Sequence, residues 1–294
     1  MCRVTVKPNT ERYLLPNVTY YQTLPIIKCY KGVPVDIQYL KRKDKPDLAY
    51  RKTDAKVLDG KPTVIFCGGF RSDMEGTKAV FLESLCTRHD MPFIRFDYSG
   101  HGSSGGAFEE GTIGQWKDDT LAIVDKIASG PVILVGSSMG GWISFLAAEE
   151  RPDRVAGLVG LAAAPDFTRE MYNENFTEEM RDELMRTGRT HMPNDYSDAP
   201  YVITKSLIDD GDSHCFLDRG MTLDYPYILI QGKKDRDVPW QVAARLSDAV
   251  SAPFKDVVYL DHADHRLSAP EELDVLAGVL RTILDRGCGI ALSD

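Results

Sequence analysis

The sequence lacks the patterns that mark several large classes of protein. No stretch approaches the roughly 20 consecutive apolar residues of a transmembrane helix, and no internal repeat or low-complexity tract is present. Residues 1–21 contain no unbroken apolar run of the kind found in a secretory signal peptide. We therefore expect no membrane span and no secretion. The expected location is the cytoplasm, with the mitochondrion as the alternative.

The cysteines show none of the spacings typical of metal or disulfide sites. They are Cys2, Cys29, Cys67, Cys86, Cys215 and Cys288. Structural zinc sites and disulfide frameworks use closer, paired spacings such as Cys-x-x-Cys. The acidic run over residues 209–214 likewise lacks the spacing of calcium ligands, so we interpret it as a solvated loop. The pattern predicts free thiols and no metal.

An excess of positive charge is also missing. The chain has 35 Lys and Arg against 44 Asp and Glu, a formal net charge of -9. Nucleic-acid binding proteins gain most of their affinity from basic surfaces, so we predict no nucleic-acid partner. With 294 residues, 43% hydrophobic and 27% charged, the chain has the composition and size of a globular enzyme with an enclosed pocket.

Short apolar runs alternate with helical patterns from residue 62 onward. These runs start at Val64, Phe93, Val132, Val155, Tyr227 and Val257. Such alternation predicts an α/β fold, a mostly parallel sheet with helices on both faces. Residues 166–223 separate two strands by far more than a usual connection. We predict a core of residues 1–165 and 224–294, with 166–223 inserted as a small helical cap.

Finer predictions concern the segments outside that alternation. Residues 26–43 predict two short strands, and the charge-rich stretch from Lys41 to Lys61 predicts an exposed, irregular connection. Within the insertion, Thr177 is expected to start one helix and residues 201–208 to form another. The apolar side chains of the insertion either accommodate a flexible apolar ligand or only pack the insertion onto the body. They are Met171, Met180, Met185, Met192, Met221, Tyr172, Phe176, Tyr196 and Tyr201.

A G-x-S-x-G pattern, Gly136-Ser137-Ser138-Met139-Gly140, follows one apolar strand and leads into a helix. In a nucleophile elbow the serine lies on a strained strand-to-helix turn at the carboxyl end of the sheet. The alternative, a purely structural glycine turn, fits less well in this context. We predict Ser138 as a nucleophile.

A serine needs a positioned base and an acid that orients the base, and with this elbow they follow in the order Ser, acid, His. Two histidines, His262 and His265, follow the last strand, and we favour His265. Two acids, Asp235 and Asp237, follow the strand before it. We favour Asp235 as the triad acid and expect Asp237 to cap the next helix.

Acyl transfer also needs two donors for the oxyanion. The backbone N–H of Met139 follows the nucleophile, and the N–H of Phe70 lies in the glycine loop after the first buried strand. Cys67, in that strand, is interpreted as a buried residue rather than a second nucleophile. The turn at residues 100–105 formally matches the dinucleotide pattern G-x-G-x-x-G. Because no helix pattern follows it directly, we interpret it as a loop beside the elbow.

Several further motifs resemble one branch of the α/β-hydrolases. They are Asp73-Met74-Glu75-Gly76-Thr77-Lys78-Ala79, Arg95-Phe96-Asp97-Tyr98-Ser99-Gly100-His101-Gly102, the elbow with Gly141-Trp142, Val238-Pro239-Trp240 and Asp264-His265-Arg266. The branch contains the mitochondrial palmitoyl-protein thioesterase, also known as mycophenolic acid acyl-glucuronide esterase. The resemblance covers about residues 60 to 286. It implies cleavage of acyl thioesters or esters by a triad of Ser138, Asp235 and His265.

The expected reaction is therefore a two-step acyl transfer that needs no cofactor or metal. Two alternatives stay open. One keeps the fold with another chemistry, carbon–carbon bond hydrolysis or cofactor-free haloperoxidation. The other is a hydrolase-like binding protein without turnover, which the intact set of triad residues makes less favourable.

Overall fold

Apolar runs that are buried at every position form the centre of a sheet. The computed structural model describes residues 36–57, 60–194 and 199–290. Its strands are β1 (Gln38–Leu40), β2 (Leu48–Thr53), β3 (Thr63–Cys67), β4 (Phe93–Phe96), β5 (Val132–Ser137), β6 (Val155–Leu161), β7 (Arg189–Met192), β8 (Tyr201–Thr204), β9 (Met221–Thr222), β10 (Tyr227–Gly232), β11 (Val250–Ser251) and β12 (Lys255–Leu260). Eight of them make one sheet in the order β1-β2-β4-β3-β5-β6-β10-β12. All neighbours in it are parallel except those of β2, which is antiparallel to β1 and β4.

The helices lie on both faces of this sheet. They are α1 (Thr77–Arg88), α2 (Ile113–Lys126), α3 (Met139–Glu150), α4 (Phe167–Glu170), α5 (Glu178–Thr187), α6 (Lys205–His214), α7 (Gln241–Ala249) and α8 (Pro270–Cys288), with a 3₁₀ turn at Phe108–Glu110 and a π-helical turn at Met171–Asn175. Alternate residues of β5 enter two cores: Leu134 packs with α2 and α3, and Ile133 packs with α1 and α8. The predicted α/β fold is confirmed.

The inserted segment, residues 166–223, lies between β6 and β10 in the chain. Its two ends are joined by Asp166, whose carboxylate accepts hydrogen bonds from the N–H groups of Phe216 (3.0 Å) and Leu217 (3.1 Å). Helix α6 packs against α2, where the Gly114 N–H donates to Asp210 at 2.7 Å. The insertion is therefore closed at its base and packed onto the body.

Two local predictions about secondary structure are wrong. Within the stretch expected to be irregular, Leu48, Ala49 and Tyr50 are buried in β2, because this short apolar run pairs with β1 and Tyr50 also pairs with β4. Residues Tyr201–Thr204 form a strand rather than the start of a helix. Tyrosine and β-branched residues favour a strand, and these four pair antiparallel with β7. The helix starts only at Lys205, where the Thr204 hydroxyl accepts from the Leu207 N–H at 3.2 Å.

Of two further predictions in the insertion, one is confirmed and one is wrong. The helix expected after Thr177 is confirmed as α5, with the Thr177 hydroxyl accepting from the Met180 N–H. The acidic run at 209–214 lies on α6 rather than in a loop. Of residues 26–43, only Gln38–Leu40 is seen as a strand, and positions 26–35 lie outside the described residues. No helix among the residues described is both long and apolar enough to cross a membrane.

Candidate active site

Ser138 stands at the junction of β5 and α3 in a backbone conformation that few residues adopt. Its φ is 54° and its ψ is -120°, a left-handed conformation that costs a non-glycine residue about 1–3 kcal/mol. Hydrogen bonds at the turn maintain it: the Ser138 N–H donates to the Leu161 carbonyl at 2.9 Å, and the Ser138 carbonyl accepts from the N–H groups of Gly141 and Ala164. The chain thus has the strained turn of a nucleophile elbow.

The glycines around Ser138 are required by close backbone packing. A Cβ atom at Gly140 would lie 2.2 Å from the Cys67 carbonyl oxygen. A Cβ atom at Gly136 would lie 2.2 Å from the Gly140 carbonyl oxygen. Such distances are far below van der Waals contact, so α3 can approach β3 this closely only where both positions lack a side chain.

Asp235 and His265 meet beyond the carboxyl ends of β10 and β12. His265 Nδ1 lies 2.9 Å from Asp235 Oδ2, and the Asp235 side chain is completely covered. The other carboxylate oxygen accepts from the N–H groups of Asp237 (2.9 Å) and Val238 (2.8 Å). Because an ionised carboxylate only accepts hydrogen bonds, the imidazole proton lies on Nδ1. Nε2 of the neutral ring is then left as an acceptor.

Gln231 supports this pair and was not identified from the sequence. Its side chain is fully buried, and its Nε2 donates to Asp235 Oδ2 at 3.0 Å and to the Val238 carbonyl at 3.2 Å. The amide therefore fixes both the carboxylate and the turn that carries it. An isolated polar residue at the end of the otherwise apolar β10 was the available signal.

Of the two alternative candidates, His262 and Asp237, only Asp237 lines the cavity that contains Ser138. His262 is exposed on the loop after β12 and does not line the cavity that contains Ser138. Asp237 is exposed and donates its N–H to Asp235. Its predicted role as a helix cap is wrong, since α7 starts at Gln241 and the residue before it is Trp240.

The loop after β3 lies directly beside the elbow. A Cβ atom at Gly69 would be 3.5 Å from the Cβ of Ser138, an ordinary van der Waals contact, so the loop and the serine are close neighbours. Within the described residues, neither the Phe70 N–H nor the Met139 N–H donates to a protein acceptor. Both residues line the same cavity as Ser138. The Met139 N–H is also the first of α3, where the helix dipole favours negative charge.

The Phe70 ring connects this loop to its surroundings. It makes edge contacts with Phe108, Trp116, Phe167 and Tyr201 at centroid distances of 4.9 to 6.0 Å. Two of these rings, Phe167 and Tyr201, belong to the inserted segment. The glycine loop, the body and the insertion are thus held against one aromatic side chain.

A cavity of about 750 Å³ contains the candidate residues. Ser138, His265, Phe70 and Met139 line it from the body. The inserted segment contributes a mostly apolar wall that includes Phe167, Met171, Met180, Met192 and Tyr201. An apolar enclosure with a few convergent polar groups is typical of a small-molecule site.

The other side chains predicted for this wall, where the structure describes them, do not line the cavity. Met185 is 62% exposed and Met221 is buried. The rings of Tyr172 and Phe176 pack against each other at 5.9 Å. Tyr196 lies outside the described residues. Some of the predicted side chains therefore face a ligand space, and others only pack the insertion.

Lys78, in one of the motifs noted above, lies in the wall beside His265. Its Nζ donates to the Arg266 carbonyl, and burial lowers the pKa of Lys78 to about 8. This hydrogen bond joins the start of α1 to the loop that carries His265, although the two are far apart in sequence.

Two further interpretations can be compared with the geometry. Burial raises the pKa of the Cys67 thiol to about 11, which is unfavourable for a nucleophile. Among the residues described, one group could hold a metal ion, and it consists of Asp235, Asp237 and His265. The carboxylate oxygens of Asp235 already accept from His265, Gln231 and two backbone N–H groups, so this group is better described as a hydrogen-bonded pair than as a ligand set.

The fold and the elbow together define an α/β-hydrolase. The sequence pattern of the hydrolase family described as serine aminopeptidase, S33, matches residues 59–206. The human palmitoyl-protein thioesterase ABHD10, a mitochondrial protein, is 38% identical over 251 residues, which is 85% of this chain and 80% of the human protein. The chain belongs to this α/β-hydrolase family and is similar to its ABHD10 thioesterase branch.

Solved structures agree with that assignment. A putative hydrolase from Agrobacterium vitis superposes with a TM-score of 0.81 at 36% identity, covering 85% of this chain and 99% of that one. The α/β-hydrolase domain-containing protein 10 from mouse superposes with a TM-score of 0.78 at 36% identity, covering 85% of this chain and 98% of that one.

Proposed function

We propose that the chain is a serine hydrolase that cleaves acyl thioesters or carboxylic esters, with Ser138 as nucleophile, His265 as base and Asp235 as the acid. The observation that carries the proposal is the 2.9 Å contact between His265 and a fully covered Asp235, in a cavity that also contains the strained Ser138. An oriented base next to an elbow serine is the arrangement that activates a hydroxyl for acyl transfer.

The reaction follows from the proton positions. His265 Nε2 accepts the Ser138 proton as the hydroxyl oxygen attacks the acyl carbonyl carbon, and the N–H groups of Phe70 and Met139 bind the resulting oxyanion. Collapse breaks the bond to the thiol or alcohol, which takes the proton from His265. A water molecule then gives its proton to His265 and attacks the acyl-enzyme. The bond between the acyl carbon and the Ser138 oxygen then breaks, His265 returns its proton to that oxygen, and the carboxylic acid is released.

We also propose that residues 166–223 act as a cap over a core formed by 1–165 and 224–294. The side chains of Met171, Met180 and Met192 support this role, because they line the same cavity as Ser138. Methionine adapts to flexible apolar ligands, which suits an acyl chain. The names of the ABHD10 relatives include a thioesterase activity and a mitochondrial location, and both favour the same properties here.

A turnover panel tests the proposed function. Purified wild type and Ser138→Ala are assayed with acyl thioesters of increasing chain length, p-nitrophenyl esters and vinylogous diketones. We expect the wild type to hydrolyse thioesters and esters and the variant to retain less than about 10⁻⁴ of the activity, since removal of a triad serine costs roughly 10⁶-fold in kcat. Turnover of diketones alone would favour the carbon–carbon alternative. Silence on every substrate would favour a binding protein.

A further inference from the structure

Two side chains bind the peptide groups on either side of Phe70 in the glycine loop. An oxyanion donor is effective only when it points at the place where charge develops. In a trans peptide the C=O and N–H groups point in opposite directions. The groups that bind the Gly69 carbonyl and the Arg71 N–H therefore determine how the two peptides around Phe70 are turned.

The first of these side chains is Ser72. Its hydroxyl donates to the Gly69 carbonyl at 2.8 Å, and its backbone N–H approaches the same oxygen at 3.2 Å. Since the Gly69 carbonyl belongs to the peptide whose N–H is that of Phe70, this bond directs the Phe70 N–H away from Ser72. The contact also explains Gly68, where a Cβ atom would lie 2.9 Å from the Ser72 hydroxyl oxygen.

The second is His101, from the loop after β4. Its Nε2 accepts from the Arg71 N–H at 3.2 Å, and its Nδ1 lies 3.3 Å from the Ser99 carbonyl. Because a backbone N–H only donates, Nε2 carries no proton and the neutral ring donates through Nδ1. Burial lowers the pKa of His101 to about 4, so the acceptor remains available at neutral pH.

The surroundings of His101 leave its ring little freedom. The side chain is 3% exposed, and Tyr98, Phe108 and Trp116 contact it edge-on at 5.1 to 5.5 Å. Arg71 itself has a φ of 57°, a left-handed conformation that a non-glycine residue adopts at a cost. The hydrogen bond to His101 is available to offset that cost and to hold the Phe70–Arg71 peptide in place.

We propose that Ser72 and His101 are positioning residues that aim the Phe70 N–H at the oxyanion. The inference rests on the proposed function and extends it to two residues that touch neither the nucleophile nor the base. Both would act through the backbone of the glycine loop rather than on the substrate.

Four variants test the inference: Ser72→Ala, His101→Phe, His101→Gln and the control Ser103→Ala. Phenylalanine keeps the ring but removes the acceptor for the Arg71 N–H, and the Ser99 carbonyl still accepts from Trp116 Nε1. Glutamine can present an oxygen near the position of Nε2. Ser103 is an exposed serine of the same loop whose side chain makes no hydrogen bond within the described residues.

We measure kcat and KM for an activated ester, the inhibition constant of an alkyl trifluoromethyl ketone, and the thermal unfolding midpoint. Ser72→Ala and His101→Phe are each expected to lower kcat about tenfold with KM unchanged, a fraction of the 10²–10³-fold lost when a whole oxyanion donor is removed. The inhibition constant should rise by the same factor, because the bound ketone forms an oxyanion. His101→Gln and Ser103→Ala should stay within about threefold of wild type.

Equal kcat in all four variants would overturn the inference. Equal losses for His101→Phe and His101→Gln, accompanied by a lowered unfolding midpoint, would also overturn it, because they would show a structural role only. A wild type that hydrolyses no ester would instead overturn the proposed function itself.

Discussion

Helices α3 and α5 both contribute residues to the cavity, and they differ in how many of their residues are buried. In α3, the helix that follows Ser138, 10 of 12 residues are buried, so it cannot shift without disturbing the sheet. In α5, which carries Met180, 1 of 10 residues is buried, so most of its substitutions affect no core. We therefore expect the body to supply a rigid site for chemistry and the insertion to supply a wall that tolerates substitution.

The largest effect is expected from the acid of the body. In Asp235→Asn, the N–H₂ group of the amide would face groups that now donate hydrogen bonds to the carboxylate. His265 would then lose the partner that fixes its tautomer. We expect kcat to fall by about 10⁴-fold with the fold intact, measured by ester hydrolysis alongside circular dichroism. The comparison variant is Asp237→Asn, for which we expect less than a tenfold loss. Equal losses in both would show that the acid is wrongly assigned.

A glycine in each region compares their rigidity. Gly140→Ala would bring a Cβ atom to 2.2 Å from the Cys67 carbonyl oxygen, and we expect a loss of about 3 kcal/mol in the free energy of unfolding. At Gly188, which ends α5, a Cβ atom meets nothing within 4 Å, and only the φ of 80° is unfavourable. We expect Gly188→Ala to cost about 1 kcal/mol.

Urea unfolding of both glycine variants provides the measurement. A loss at Gly188 that equals or exceeds the loss at Gly140 would contradict the picture of a rigid body and an adaptable insertion.

The smallest effect is expected in the wall of the insertion. Met180 is half-buried and lines the cavity, whereas Met185 on the same helix is 62% exposed. We expect Met180→Ala to change the ratio of kcat/KM between long and short acyl chains by about tenfold, and Met185→Ala to leave it unchanged. The ratio is measured on a thioester series. The same ratio in both variants would mean that the methionines only pack the insertion.

The body could be predicted from the sequence to a much greater extent than the insertion. Its strands are continuous apolar runs, and the elbow, Asp235 and His265 follow local patterns in a known chain order. The hydrogen bond between His101 and Arg71 joins residues 30 positions apart, so no local pattern predicts it. Strand β8 was misassigned although its residue types favour a strand, because its pairing with β7 was not anticipated. Gln231 precedes the predicted acid Asp235 by four positions, and its hydrogen bond to that carboxylate forms only because the turn between them folds back.

The corrections have a common cause. Residues 48–50 lie among charged neighbours in the sequence, and they are buried because β2 joins the sheet between β1 and β4. Asp237 has the residue type and position of a helix cap, but the turn that brings two N–H groups to Asp235 delays α7 to Gln241. In both places a hydrogen-bonding arrangement outweighs the preference of the residue type: strand pairing for residues 48–50, and a local turn for Asp237.

The central claim is that Ser138 is a nucleophile activated by His265, which Asp235 holds in position. The most direct measurement is labelling with a fluorophosphonate probe, with wild type beside Ser138→Ala, followed by mass-spectrometric mapping of the modified peptide. We predict that wild type is labelled on Ser138 and that labelling disappears in the variant. Labelling that persists in Ser138→Ala, or an unlabelled wild type that is correctly folded, would contradict the claim.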